Sequence, residues 1–148
     1  MCDKVKGVST MIKRYVLGFY FREEEVLLVR KSSPPWQKGR WNGVGGHVEV
    51  GETPQQAMRR AFKEEAGFDP KARWEFVGYL KDKGDTPENI GRVYLYLYRA
   101  FRHIEDESPN SSTDVGDPLV FHSVFDLPCG VLPCGVLSNL RWLTRLLW

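Results

Sequence analysis

The chain has 148 residues, 42% hydrophobic and 27% charged, with a formal net charge of +2. This is the length and balance of one globular domain able to bury its own core. The charge is too small to argue for a nucleic-acid or membrane partner, and no apolar run approaches the roughly 18 residues of a membrane-spanning helix.

The N-terminal "MCDKVKGVST" lacks the apolar core of a secretion signal, which makes the cytoplasm the expected compartment. An odd set of cysteines, Cys2, Cys129 and Cys134, argues against a disulfide framework. With His103 and His122 they do not have the spacing of a zinc site.

Along the chain, "KRYVLGFYF" (13–21) and "EVLLVR" (25–30) are β-rich apolar runs around a charged turn, which predicts a hairpin. "KSSPPWQKGRWNGVGG" (31–46) is rich in Pro, Gly and Ser and reads as a long loop, of the kind that often carries function. "HVEV" (47–50) reads as a short extended piece. A helix follows: Thr53 suits its N-cap, Pro54 its first position, Gln56 completes a capping box and Gly67 is the stop.

"RWEFVGYL" (73–80) and "RVYLYLYRAF" (92–101) read as strands. In the second, Val93, Leu95 and Leu97 alternate with Tyr94, Tyr96 and Tyr98, a pattern of two sheet faces rather than a platform for bases. "EDESPNSSTDVGD" (105–117) reads as a flexible loop and "LVFHSVF" (119–125) as a last strand. "PCGVL" occurs at 128–132 and again at 133–137, too short a repeat for a solenoid and read as a lengthened loop. In "VLSNLRWLTRLLW" (136–148), Leu140, Leu143 and Leu147 have the spacing of a closing amphipathic helix. The expected fold class is α/β (α+β), a mixed sheet with two helices in a single domain over residues 1–148.

The helix carries the chemistry. At about 100° per residue, Met58, Phe62 and Ala66 form an apolar stripe, while Glu64 and Glu65 flank a bare patch made by Ala57 and Ala61. Read alone, "KEEAG" is an ordinary solvated helix end. Two features work against that reading. Acids at a helix C-terminus oppose the macrodipole. Paired carboxylates also repel, by up to about 4 kcal/mol at 4 Å and an effective dielectric near 20. A bound divalent cation would turn this repulsion into attraction.

"GHVEVGETPQQAMRRAFKEEAGF" resembles the signature of Nudix hydrolases: Gly, five residues, Glu, seven residues, then Arg-Glu-apolar-any-Glu-Glu-any-Gly-apolar. Gly46, Glu52, Arg60, Phe62, Glu64, Glu65, Gly67 and Phe68 match it at the right spacings. Ala61 stands where the family has glutamate. The preceding hairpin, "WNGVGG" and the closing "NLRWL" also resemble small family members that act on nucleoside triphosphates, with a mixed sheet sandwiched between helices.

The resemblance implies hydrolysis of a nucleoside diphosphate linked to another group X, with Mg²⁺ (or Mn²⁺) holding the pyrophosphate. Glu64, Glu65 and the Gly45 carbonyl would be metal ligands, Arg60 would orient carboxylates, and Glu52 would support the loop–helix junction. Asp117 or Asp114 would add a ligand or base from the acidic loop. Ala61 is read first as a substitution that silences the enzyme. The alternatives are a natural active variant with its base elsewhere and a pseudo-enzyme that only binds nucleotides.

The "PPWQKGRWNGVGG" loop offers Trp36 and Trp41 for stacking on a base or packing under the loop, Asn42 for a base edge, and Lys38 and Arg40 for phosphates or solvent. This favours (d)NTP pyrophosphohydrolysis, giving monophosphate and pyrophosphate, over a nucleotide-sugar or dinucleotide substrate. A non-catalytic nucleotide sensor is the rival of another class. The expected partner is a small nucleotide, with no nucleic-acid polymer and no membrane. A homodimer stays open as the assembly.

Overall fold

The computed structural model describes residues 12–33, 35–71, 73–82, 93–127 and 148, with the side chains of 36, 82 and 93 excepted. The cysteines, the repeated pentapeptide, the closing helix and the Trp36 side chain therefore lie outside the described part.

Strands β1 (Lys13–Arg22) and β2 (Glu25–Arg30) form the expected hairpin, pairing Phe21 with Val26 and Arg22 with Glu25. The chain then makes a 3₁₀ turn (Pro35–Gln37) and two short strands, β3 (Trp41–Asn42) and β4 (Val44–His47). Helix α1 (Pro54–Ala66) follows, then β5 (Glu75–Asp82), β6 (Val93–Phe101) and β7 (Leu119–Ser123). These strands form one mixed sheet in the order β3-β2-β1-β6-β5, with β4 on β1 and β7 on β2. Only β1 and β6 run parallel, in register from Lys13 opposite Val93 to Phe21 opposite Phe101.

Strand β1 reads as a continuous apolar run because it is central and buried on both faces. One face (Val16, Tyr20, Val29, Val44, Tyr98) packs against Met58, Phe62 and Ala66 of α1. Leu17, Phe19, Val26, Leu28, Leu95 and Leu97 build the core on the other. Burial of Met58 and Phe62, both at 0% exposure, contributes about 1.5–3 kcal/mol each. Tyr94, Tyr96 and Tyr98 do lie on one sheet face, in ring contact with Phe76 and Tyr79 of β5.

The helix is bounded as the caps predict. Thr53 Oγ1 accepts from the Gln56 N–H at 3.1 Å, and Gln56 Oε1 accepts from the Thr53 N–H at 2.9 Å. At the other end Gly67 takes φ 93°, a left-handed conformation, and its N–H donates to the Lys63 carbonyl.

Two expectations fail. The extended piece lies at 44–47, not 47–50, inside what reads as loop. Its glycines are strand residues because β1 runs close: a Cβ on Gly45 would strike the Val16 carbonyl oxygen. The 105–117 stretch is no flexible loop either. Three of its polar side chains, Asp106, Thr113 and Asp117, are buried, and the Asn110 N–H donates to the Ala66 carbonyl.

Candidate active site at the edge of the helix

Arg60 forms a clamp along the outer edge of α1. Its Nε donates to Glu52 Oε2 at 2.7 Å and its Nη2 to Glu52 Oε1 at 3.0 Å, a fork-on-fork pair. The same guanidinium donates to Glu64 Oε1 at 3.1 Å and to the His47 carbonyl at 2.8 Å. Glu52 Oε1 also accepts from the Glu49 N–H. Hydrogen bonding from Arg60 holds the Glu52 carboxyl below its ordinary value and raises the Arg60 guanidinium further. One arginine thus ties the loop before the helix, the helix and the end of β4 together.

Glu65 lies in a different setting. It is half-buried, and its Oε1 is fully shielded from solvent with no hydrogen-bond partner. Burial pushes its carboxyl up to about 7; Lys31 and the Gly45 backbone N–H pull it down, and Asp114 and Asp117 push it further up. An orphaned, desolvated carboxylate oxygen is costly, and Glu65 Oε1 shares that condition with Trp74 Nε1 and His122 Nε2 among the described residues.

The bare patch between the two glutamates is the seat of β4. Ala57 and Ala61 are 0% and 3% exposed, and a Cβ on Gly46 would lie 3.9 Å from that of Ala61. With alanine at 61, the helix presents two carboxylates here, and they point apart: Glu64 toward Arg60 in solvent, Glu65 toward Gly45. Among the described residues no group of three His, Cys, Asp or Glu side chains has metal-site spacing.

The remaining candidates divide clearly. Asp117 is buried, its Oδ2 accepting from the Ser32 N–H at 3.1 Å, and with exposed Asp114 it lies close enough to Glu65 to act on its charge. Trp41, partly exposed, packs edge-on to His122 with ring centroids 4.5 Å apart. Asn42 is buried, its Oδ1 accepting from the Gly43 N–H. Lys38 and Arg40 are exposed just after the 3₁₀ turn.

Lys31, which the sequence reading passed over, is the cation nearest in effect to Glu65. It follows the last residue of β2, and nothing local distinguishes it from Lys38. Its place is set by the folded loop, closed by Lys31 N–H to the Arg40 carbonyl and Gly39 N–H to the Lys31 carbonyl.

The donor set fits a hard divalent cation. Carboxylate and carbonyl oxygens are the ligands such ions take, and the buried Glu65 Oε1 is one such oxygen without a partner.

The architecture is a mixed sheet of this order with a capped helix packed on it, and a NUDIX domain family model matches residues 11–133. The chain belongs to the NUDIX family. It is 43% identical over 83 residues to an oxidized purine nucleoside triphosphate hydrolase of Danio rerio, covering 56% of this chain and 49% of that one. It is 38% identical over 80 residues to an ADP-ribose pyrophosphatase of Methanocaldococcus jannaschii, covering 54% and 47%. The chain thus spans about half the length of these relatives. In fold it is similar to a MutT protein from Bacillus halodurans, with a TM-score of 0.68 at 20% identity over 90% of this chain and 80% of that one. The ORF135 protein of E. coli gives the same score and identity over 91% of each chain. Among the described residues no helix is long and apolar enough to cross a membrane.

Proposed function

We propose that this chain hydrolyses a nucleoside diphosphate linked to X, most readily a (d)NTP, giving a monophosphate and pyrophosphate, and that Ala61 slows it. The observation that carries this reading is the Glu65 carboxylate: buried, with one oxygen unpartnered, on a helix whose other edge is braced by Arg60. Mg²⁺ or Mn²⁺ would be held by Glu65 and the Gly45 carbonyl, with Asp117 a further ligand; Glu64 would join them only by giving up its bond to Arg60. Such an ion, when bound, neutralises phosphate charge and makes a bound water more acidic.

The chain's own residues do the positioning. Arg60 fixes the backbone at His47 and the Glu52 and Glu64 carboxylates, so that the loop before the helix and the end of β4 move as one body. Lys31, already facing Glu65 electrostatically, is suited to meet a phosphate once the carboxylate charge is compensated. Trp41, half-buried on β3, would meet a base ring, and the buried Asn42 beside it would read a base edge once its amide is uncovered; Trp36, Lys38 and Arg40 come from the stretch of chain just before. Both relatives carry names describing hydrolysis of a nucleotide's phosphate chain, which supports the reaction class without choosing the nucleotide.

A non-catalytic nucleotide binder is the second reading, and Ala61 is the specific observation in its favour. The two separate in one experiment: turnover with Mg²⁺ across nucleoside triphosphates, a nucleotide sugar and dinucleotides, for this chain and for Ala61→Glu, with calorimetric titration beside it. Slow turnover that Ala61→Glu raises supports the hydrolase. Binding without turnover in both chains refutes it.

A further inference from the structure

Asp106 belongs to no recognised motif, yet it is 7% exposed and its carboxylate bonds reach β1 and the segment beyond α1 as well as its own turn. Its Oδ2 accepts from the Tyr20 hydroxyl of β1 at 2.7 Å and from the His103 N–H at 3.0 Å. Its Oδ1 accepts from the Lys71 N–H, just beyond α1, at 2.6 Å. A buried carboxylate with three donors is a rigid junction, since ionised acceptors make the stronger hydrogen bonds.

From this junction the chain runs as a pinned arm. The Asn110 N–H donates to the Ala66 carbonyl at the end of α1 at 2.9 Å, and the Asn110 side chain lies where a Cβ on Gly67 would strike it. Thr113 N–H donates to the Asp117 carbonyl at 2.7 Å, and Thr113 Oγ1 accepts from the Asp117 N–H at 3.0 Å. This closed turn carries Asp114 and Asp117. Asp117 then accepts from the Ser32 N–H, next to Lys31. The arm begins at the core, passes the helix end and carries two acids near enough to Glu65, whose Oε1 has no partner, to act on its charge.

We propose that Asp106 is a positioning residue for the active site: through the 106–117 arm it sets where Asp114 and Asp117 stand relative to Glu65, and so how strongly the site takes a divalent cation. This rests on the hydrolase reading above. Residues that hold metal ligands in place typically change metal affinity about 10- to 100-fold when replaced. A purely structural junction would lower stability and leave metal affinity alone.

The test measures two things: the Mg²⁺ concentration giving half-maximal turnover of a deoxynucleoside triphosphate, and the Mg²⁺-induced rise in melting temperature without nucleotide. Asp106→Asn keeps one acceptor and turns an amide N–H₂ toward a donor. It is expected to raise the Mg²⁺ midpoint about 10-fold and to shrink the Mg²⁺-induced melting shift. Thr113→Val, which loosens only the turn, should move both in the same direction without touching the core. Tyr20→Phe removes a bond to Asp106 but leaves the carboxylate, and should lower the metal-free melting temperature while holding the midpoint within about twofold.

In an Asp114→Asn/Asp117→Asn background, adding Asp106→Asn should shift the midpoint no further, since residues acting through one another are not additive. Equal midpoint shifts in Tyr20→Phe and Asp106→Asn, or full additivity in that background, overturn the arm's role while leaving the hydrolase reading intact. A parent chain with neither Mg²⁺-dependent turnover nor a Mg²⁺-induced melting shift removes both.

Discussion

Glu64 and Glu65 are neighbours in sequence and live on opposite sides of one helix edge. On the Arg60 side every carboxylate has a partner: Glu52 is bound by two guanidinium nitrogens and Glu64 by a third. On the Gly45 side Glu65 is desolvated and keeps an oxygen with no donor. The first region contributes stability and holds shape, while the second gives up stability to keep an oxygen available. The contrast separates the residues that brace the site from those that would touch a ligand, although one short motif carries both.

The most drastic way to sharpen this contrast is to restore the missing acid. Ala61→Glu is expected to raise turnover about 10²-fold or more, the scale of a positioned acid–base group. Because Ala61 is packed against β4, the same change should lower the metal-free melting temperature, and Mg²⁺ should recover it. Equal rates before and after the substitution, measured at saturating Mg²⁺, would break the assignment of this edge as catalytic.

Glu65→Gln comes next. Turnover should fall about 10²-fold, yet the metal-free protein should gain stability at neutral pH because a desolvated charge is gone. The pH dependence has a defined sign. An acid whose folded value rises from 4.5 to about 7 binds its proton more tightly when folded. Its contribution is full below 4.5 and is lost as pH climbs through 7. The wild-type melting temperature, without metal, should therefore carry a falling component across that window that Glu65→Gln abolishes. Glu52, held low by Arg60, works the other way: its contribution is present above 4.5 and disappears as the solution is acidified. Thermal scans from pH 4 to pH 8 would expose both; an unchanged slope in Glu65→Gln contradicts the burial argument.

On the braced side, Arg60→Ala should cost about 2 kcal/mol, the range for hydrogen bonds to a charged group with partial solvent exposure. Arg60→Lys should recover little, because an ammonium cannot reproduce the forked contact. Chemical denaturation measures this, and a loss well under 0.5 kcal/mol would remove the clamp. Smallest is Thr53→Ala, expected to cost about 1 kcal/mol through the lost cap with turnover unaffected.

Much of this was legible beforehand. The hairpin, α1 with both caps and the tyrosine face follow from near-neighbour patterns. The reading failed where backbone contacts outweighed composition. Gly45 and Gly46 look like loop residues, and they are strand residues paired with β1, which at Gly45 leaves no room for a side chain. The polar run 105–117 looks mobile, and it is held because Asp106 and Asn110 spend their hydrogen bonds on distant partners.

Taken by itself, the amino-acid order determined the helix, its limits, the family signature and the single break in it at Ala61, because caps and periodicity depend on residues within a few positions of each other. Tertiary structure alone decided that Glu64 and Glu65 part company, that Lys31, Asp114 and Asp117 meet at Glu65, and that Asp106 anchors the arm that brings the acids there. Burial and charge are properties of position in space, and those residues come from separate stretches of chain that only the packed sheet brings together.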